Sequence, residues 1–115
     1  MSKTTLRIAV IVLTLITAIV HLYLGVSSIG DSSLRTLTIL WLLNGVSWFV
    51  LLGGVLGITP ILKDNRALSH YGLMALAAAT IIAWFMVGDR TEIFGLVTKF
   101  VEVLLIIVTF MHLRK

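Results

Sequence analysis

The chain has 115 residues, of which 59% are hydrophobic and 12% are charged, with a net charge of +4 and no cysteine. About a quarter of the residues of a soluble domain are charged, so this composition indicates a membrane protein. The lack of cysteine excludes disulfides, thiolate metal sites and cysteine nucleophiles. The positive charge does not indicate nucleic-acid binding, because the Lys and Arg residues lie mostly at the ends of the predicted spans.

Three stretches without charge, and a fourth that carries Lys99 and Glu102, are each long enough to cross about 30 Å of hydrocarbon as a helix. They predict spans over about residues 8–29, 36–58, 67–88 and 93–113. Because the connections are too short to fold alone, we expect a single domain over residues 1–115. The predicted fold is all-α: an integral-membrane antiparallel four-helix bundle.

The Lys and Arg residues predict how the bundle lies in the membrane. Arg35 and Arg90 lie on one side, and six positive residues lie on the other: Lys3, Arg7, Lys63, Arg66, Arg114 and Lys115. Cytoplasmic loops carry the excess of positive residues, so both termini are predicted to be cytoplasmic. The expected location is the cell membrane, as a multi-pass protein.

The first two spans place their polar and small residues at helical spacing. In the first span one face carries Thr14, Thr17, His21, Gly25 and Ser28. In the second, Trp41, Asn44 and Trp48 share a face, while Gly53 and Gly57 form a GxxxG pattern that predicts close helix packing, within this chain or with another. Pro60 is predicted to mark the end of the second span, since proline cannot continue the helical hydrogen bonding.

In the fourth span, Lys99 and Glu102 are the residues whose burial costs the most free energy, because a charge is unfavourable inside a membrane unless it has a partner or a function. At 1.5 Å per residue, His21, Asn44, Thr80 and Glu102 come out about 12–13 Å from the same end of the bundle. We call these four residues the polar layer. Each helix supplies one of them, and His21 is the expected partner of Glu102.

Two interpretations of Glu102 stay open. A paired carboxylate can hold helices in register, with Lys99 one turn away on the same face. Alternatively, it can exchange a proton or bind a cation or polar ligand. The predicted ligand site comprises His21, Tyr23, Trp41, Asn44, Thr80, Trp84, Lys99 and Glu102. A ligand would enter it between the aromatic side chains, which can equally form a belt at the membrane interface.

His70 and His112 lie at matching depth near the ends of the third and fourth spans, and are weak candidates for haem ligation. Histidines placed so near the membrane surface more often meet lipid headgroups, and His21 has no histidine counterpart at its own level. No cofactor is therefore predicted, with haem b or quinone as alternatives.

The run Ala18-Ile19-Val20-His21-Leu22-Tyr23-Leu24-Gly25, together with the Lys99 and Glu102 helix, resembles small uncharacterised four-span membrane proteins common in archaea. The layout is also loosely similar to DoxX-like membrane proteins, some of which accompany quinone-linked oxidoreductases. Neither resemblance supplies catalytic residues. Small multidrug resistance transporters share the length and four spans, but they place a carboxylate in the first span, where this chain has only His21.

These observations favour a non-enzymatic accessory or structural subunit of a larger membrane complex or a homo-oligomer. The expected partners are membrane lipids and other membrane-protein subunits or further copies of the chain. The first alternative is a small transporter or ligand-binding protein whose site faces outward around His21 and Glu102. The second is a haem- or quinone-associated redox subunit.

Overall fold

Four helices account for nearly all of the chain that the computed structural model describes, which is residues 2–58, 66–87 and 93–114. They are α1 (Lys3–Ser27), α2 (Arg35–Val55), α3 (Arg66–Val87) and α4 (Ile93–Arg114), and a single 3₁₀ turn, Ser32–Leu34, leads into α2. Each helix is long and apolar enough to cross a membrane. The predicted all-α architecture with four potential spans is confirmed, and the direction of insertion stays a prediction.

The helices pack as an antiparallel ring in chain order, with α4 closing against α1. Ser28, just after α1, bonds Thr38 near the start of α2, and His70 near the start of α3 bonds His112 near the end of α4. The two ends of the bundle therefore differ. We call the end with residues 2 and 114 the terminal end, and the end with the α1–α2 connection the turn end.

Glycines let α1 and α2 approach closely. A Cβ atom added to Gly25 would lie 2.6 Å from the side chain of Leu42, and one added to Gly45 would lie 2.6 Å from that of Leu22. Each leucine thus fills the space beside a glycine on the facing helix. Small residues at such contacts are typical of membrane helices, where association depends on close packing.

Local hydrogen bonding sets the helix ends. The Ser2 side chain accepts a hydrogen bond from the Thr5 amide, so α1 begins at Lys3, before the predicted start at residue 8. Helix α2 ends at Val55, and Gly57 follows with φ +76°. The amides of Gly57 and Ile58 bond back to Gly54 and Gly53, a Schellman motif.

This ending changes the interpretation of the GxxxG pattern. Gly57 lies beyond the helix, and open space surrounds the position of its missing side chain. The glycine is needed because other residues rarely adopt positive φ. Gly53 and Gly57 therefore do not form one packing face of α2, and the prediction for Pro60 lies outside the described residues.

Asp31 organises the connection between α1 and α2. Its carboxylate accepts hydrogen bonds from the hydroxyl and the backbone amide of Ser33, at 2.6 and 3.0 Å. These bonds, the hydroxyl first, hold the pKa of the Asp31 carboxyl below its usual value. The side chain thereby caps the 3₁₀ turn that directs the chain into α2.

The bundle interior combines large apolar side chains with buried polar ones. Trp48, Leu6, Leu73 and Leu105 are fully buried in the core. Glu102, His70 and several threonines are also buried. Since an unpaired polar group is costly in such surroundings, the partners of these groups define the candidate sites.

Candidate functional site

A charged cluster between α1 and α4 surrounds Glu102, whose side chain is fully buried. The Lys99 ammonium lies 2.5 Å from Glu102 Oε1, and the Thr17 hydroxyl donates to Oε2 at 2.7 Å. His21 Nε2 lies 3.8 Å from the same Oε2, within ion-pair range but beyond a direct hydrogen bond. We call Thr17, His21, Lys99 and Glu102 the carboxylate cluster.

The position of the His21 ring is set by its own helix. Its Nδ1 lies 2.7 Å from the Thr17 backbone carbonyl. A carbonyl oxygen can only accept, so Nδ1 carries a proton and Nε2 faces the Glu102 carboxylate. In neutral His21, Nε2 presents a lone pair to an oxygen. A proton placed between these two atoms would convert that repulsion into an ion pair.

Helical spacing accounts for the cluster. Thr17 and His21 are four residues apart on α1, and Lys99 and Glu102 are three apart on α4, so each pair shares one helix face. Lys99 is only 9% exposed, so its ammonium is held inside the bundle beside the carboxylate. The two opposite charges leave the cluster neutral overall when His21 is neutral.

A second polar group joins α2 to α3. Asn44 Nδ2 donates to the Thr80 hydroxyl at 2.8 Å, and that hydroxyl donates to the Leu76 carbonyl. The Trp48 indole N–H donates to Asn44 Oδ1 at 2.6 Å. The amide of Asn44 is thus used on both sides, which ties α2 to α3. We call Asn44, Trp48 and Thr80 the amide cluster.

The polar layer therefore consists of two separate clusters among the described residues. His21 and Glu102 meet between α1 and α4, as expected, together with Lys99. Asn44 and Thr80 meet between α2 and α3. Because the ring places α1 beside α2 and α4 but not α3, each neighbouring pair of helices satisfies its own polar side chains.

The aromatic residues of the predicted site are spread around the bundle. Tyr23 is 66% exposed and so lies on the outer surface of the bundle. Trp41 and Trp84 are half-buried, with the Trp84 ring edge-on to Phe85 and its indole nitrogen packed over Gly95. Trp84 thus fills the contact between α3 and α4.

The two histidines near the terminal end are buried, which differs from the expected surface position. His70 Nε2 and His112 Nδ1 lie 2.8 Å apart, and the rings are stacked at 4.9 Å between centroids. Two imidazoles that bind one metal ion with bonds of about 2 Å place their nitrogens about 3.3 Å apart in a tetrahedral site, and about 4 Å apart on opposite sides of a haem iron. The observed arrangement is a hydrogen bond between α3 and α4, and the described residues contain no group of three metal-ligating side chains.

Thr17 and Trp48 lie outside the predicted ligand site, and both supply hydrogen bonds to residues of it. Each is four residues from a predicted site residue on the same helix, His21 and Asn44 respectively, and this spacing is the signal in the sequence that points to them. Thr14 and Thr109 are also buried, and their hydroxyls have no hydrogen-bond partner among the described residues. Compared with protein-family models, curated proteins and solved structures, the chain matches none of them.

Proposed function

We propose that this protein is a non-enzymatic membrane subunit that acts by lateral association, primarily with further copies of itself. The observation that carries the proposal is the distribution of polarity. Lys99 and Glu102 form an ion pair inside the bundle, and the Asn44 amide is hydrogen-bonded to Thr80 on the neighbouring helix. The outward surface of all four helices is rich in large apolar side chains. Such a surface supports lateral contact with another membrane helix.

One outward face is better suited to a helix than to lipid. Helix α3 exposes Ala75, Ala79 and Ala83, spaced by four residues. Small residues at this spacing let two membrane helices pack closely, whereas lipid is accommodated equally well by Leu or Ile. The row can pack against the same row of a second copy across a two-fold axis. We therefore assign the proposed contact to this face of α3.

Cysteine crosslinking tests the contact, because the chain has no native cysteine. Ala79→Cys is expected to give a covalent dimer on mild oxidation in native membranes. The matched control is Leu43→Cys, which places the thiol on an exposed position of α2 and should remain monomeric. Equal crosslinking of both variants would indicate random collision. If Ala79→Cys stays monomeric and the chain migrates alone in mild detergent, the proposal fails.

The geometry of His21 favours a second candidate function, in which the carboxylate cluster binds a proton. His21 Nε2 and Glu102 Oε2 face each other at 3.8 Å, and Nδ1 is already committed to the Thr17 carbonyl. A proton or a small polar ligand inserted there would bridge the two groups. Lys99 contacts the other carboxylate oxygen, Oε1, so the open position lies between Oε2 and His21 Nε2.

Infrared titration of the reconstituted protein tests this second candidate. The difference spectrum between acid and alkaline conditions should contain imidazole and carboxylate bands that Glu102→Gln removes. Asp31→Asn, which alters an exposed carboxylate in the α1–α2 connection, serves as the control and should leave those bands unchanged. If the wild type and Glu102→Gln give the same difference bands, the cluster is not a proton-binding site.

A further inference from the structure

A basic groove opens at the terminal end of the bundle. Three α1 residues, Lys3, Thr4 and Arg7, form one side, and His112 lies at the α4 side. Val55, the last residue of α2, and Leu56, which follows it, complete the lining. The groove is therefore cationic along α1 and apolar along α2.

Its location and charge suit an anion. Lys3, Thr4 and Arg7 are exposed, so their polar groups are free to meet a ligand at the bundle end. They lie in the first turns of α1, where the leading amides have no acceptor within the helix and the helix dipole is positive. Among the described residues, those that line the groove include no acidic side chain, so none of them opposes a negative charge.

The apolar wall distinguishes a lipid from a free anion. Val55 and Leu56 end α2 beside the basic residues, at the level where a membrane-spanning helix meets the headgroup region. An anionic phospholipid would place its phosphate against Lys3 and Arg7 and the start of an acyl chain along Val55 and Leu56. An inorganic phosphate would use only the cationic side.

We propose that the groove formed by Lys3, Thr4, Arg7, Val55, Leu56 and His112 binds the phosphate headgroup of one anionic phospholipid. This site is separate from the α3 face and from the carboxylate cluster. Two cations, a hydroxyl and an apolar wall together recognise the ligand. A zwitterionic lipid fits this groove less well, because Lys3 and Arg7 repel its ammonium group.

Native mass spectrometry of the full chain in mild detergent tests the proposal, with phosphatidylglycerol as the probe and phosphatidylcholine as the comparison. One phosphatidylglycerol is expected to bind in preference to phosphatidylcholine. The variant K3Q/R7Q should weaken phosphatidylglycerol binding by roughly tenfold to thirtyfold, since each interfacial cation contributes modestly. Both altered residues are exposed, so the bundle should remain folded.

The control R35Q/R114Q removes two positive charges outside the groove, at exposed positions. Its affinity for phosphatidylglycerol should stay within about twofold of the wild type, because neither residue lines the groove and exposed charges outside it are screened by salt. Equal weakening by both double variants would show bulk charge attraction and overturn the site. Displacement of the lipid by an equal concentration of inorganic phosphate would assign the groove to a soluble anion, and would also overturn the proposal.

Discussion

Glu102 receives three kinds of partner from two helices. Lys99 supplies a charge from one turn away, the Thr17 hydroxyl supplies a hydrogen bond from α1, and His21 adds a polar ring at 3.8 Å. A buried charge that loses its partner is costly, whereas a pair replaced as a unit by apolar side chains is often tolerated. Lys99 and Glu102 lie on the same helix, so the contacts that Thr17 and His21 make to Glu102 are the ones that hold α4 in register with α1.

This argument predicts strong coupling between Lys99 and Glu102. Lys99→Met or Glu102→Met alone should lower stability by about 3–5 kcal/mol, since each leaves an uncompensated charge in the bundle. The double variant should lose far less than the sum of the two single losses, which corresponds to a coupling energy of about 3 kcal/mol or more. Thermal unfolding in mild detergent, followed by circular dichroism, measures these differences. Simple addition of the two single effects would show that the residues do not act as a pair.

The sequence anticipated part of this cluster. Counting residues along each helix placed His21 and Glu102 at one depth, and the structure brings them together. The role of Thr17 depends on how α1 is rotated about its axis. The depth of a residue follows from the sequence alone, but the rotation of its helix is set by packing against the neighbouring helices. The sequence therefore placed Thr17 on the same face as His21 without showing which helix that face meets.

At the scale of the helices, glycine and leucine positions set the distance between α1 and α2. The position of a Cβ at Gly45 lies 2.6 Å from the Leu22 side chain and 3.2 Å from the Ala18 carbonyl oxygen. A larger side chain there must push the helices apart or displace Leu22. Overpacking of this kind typically costs about 1–3 kcal/mol.

Gly45→Val should therefore lower the unfolding temperature in detergent, and Leu22→Ala in the same chain should restore part of the loss by making room. Gly30→Ala is the control, because nothing lies within 4 Å of its added Cβ, and its effect should stay within about 0.5 kcal/mol. If Gly45→Val is as stable as the control variant, the close approach of α1 and α2 at this point is incorrect.

The helix boundaries show where sequence patterns lose information. Hydropathy located all four helices, because a long apolar stretch is a local property of the chain. It placed the end of the second span at residue 58, whereas Gly57 in a Schellman motif ends α2 at Val55. The GxxxG spacing was equally compatible with a packing face and with a helix terminus. Backbone conformation decided between the two.

For the whole molecule, the ring order of the helices explains why the polar residues form two clusters. Each connection is short, so consecutive helices are neighbours, and α4 returns to α1. In this ring α1 and α4 share the carboxylate cluster while α2 and α3 share the amide cluster. Lys99, Glu102 and the Asn44 amide thereby have their partners inside the bundle. The exterior of the helices is left apolar, for contact with lipid or with another copy.

The two ends of the molecule differ in charge in a way that agrees with the proposed headgroup site. Lys3, Arg7, Arg66 and Arg114 lie at the terminal end, and the α1–α2 connection at the turn end holds Asp31 beside Arg35. The placement of the termini in the cytoplasm stays a prediction from this asymmetry. A preference of the groove for anionic lipid would be consistent with it.

The sequence by itself determined the number of helices, their apolar character and the level of each polar side chain along its helix, because these depend on hydrophobicity and on spacing within one helix. The tertiary structure alone decided which helices are neighbours and which faces meet. It divided the polar layer into two clusters, buried His70 against His112 and turned Tyr23 outward. The physical reason is that rotation and neighbour order depend on close packing between helices, as at Gly25 and Gly45, and such contacts join residues that no single-helix pattern relates.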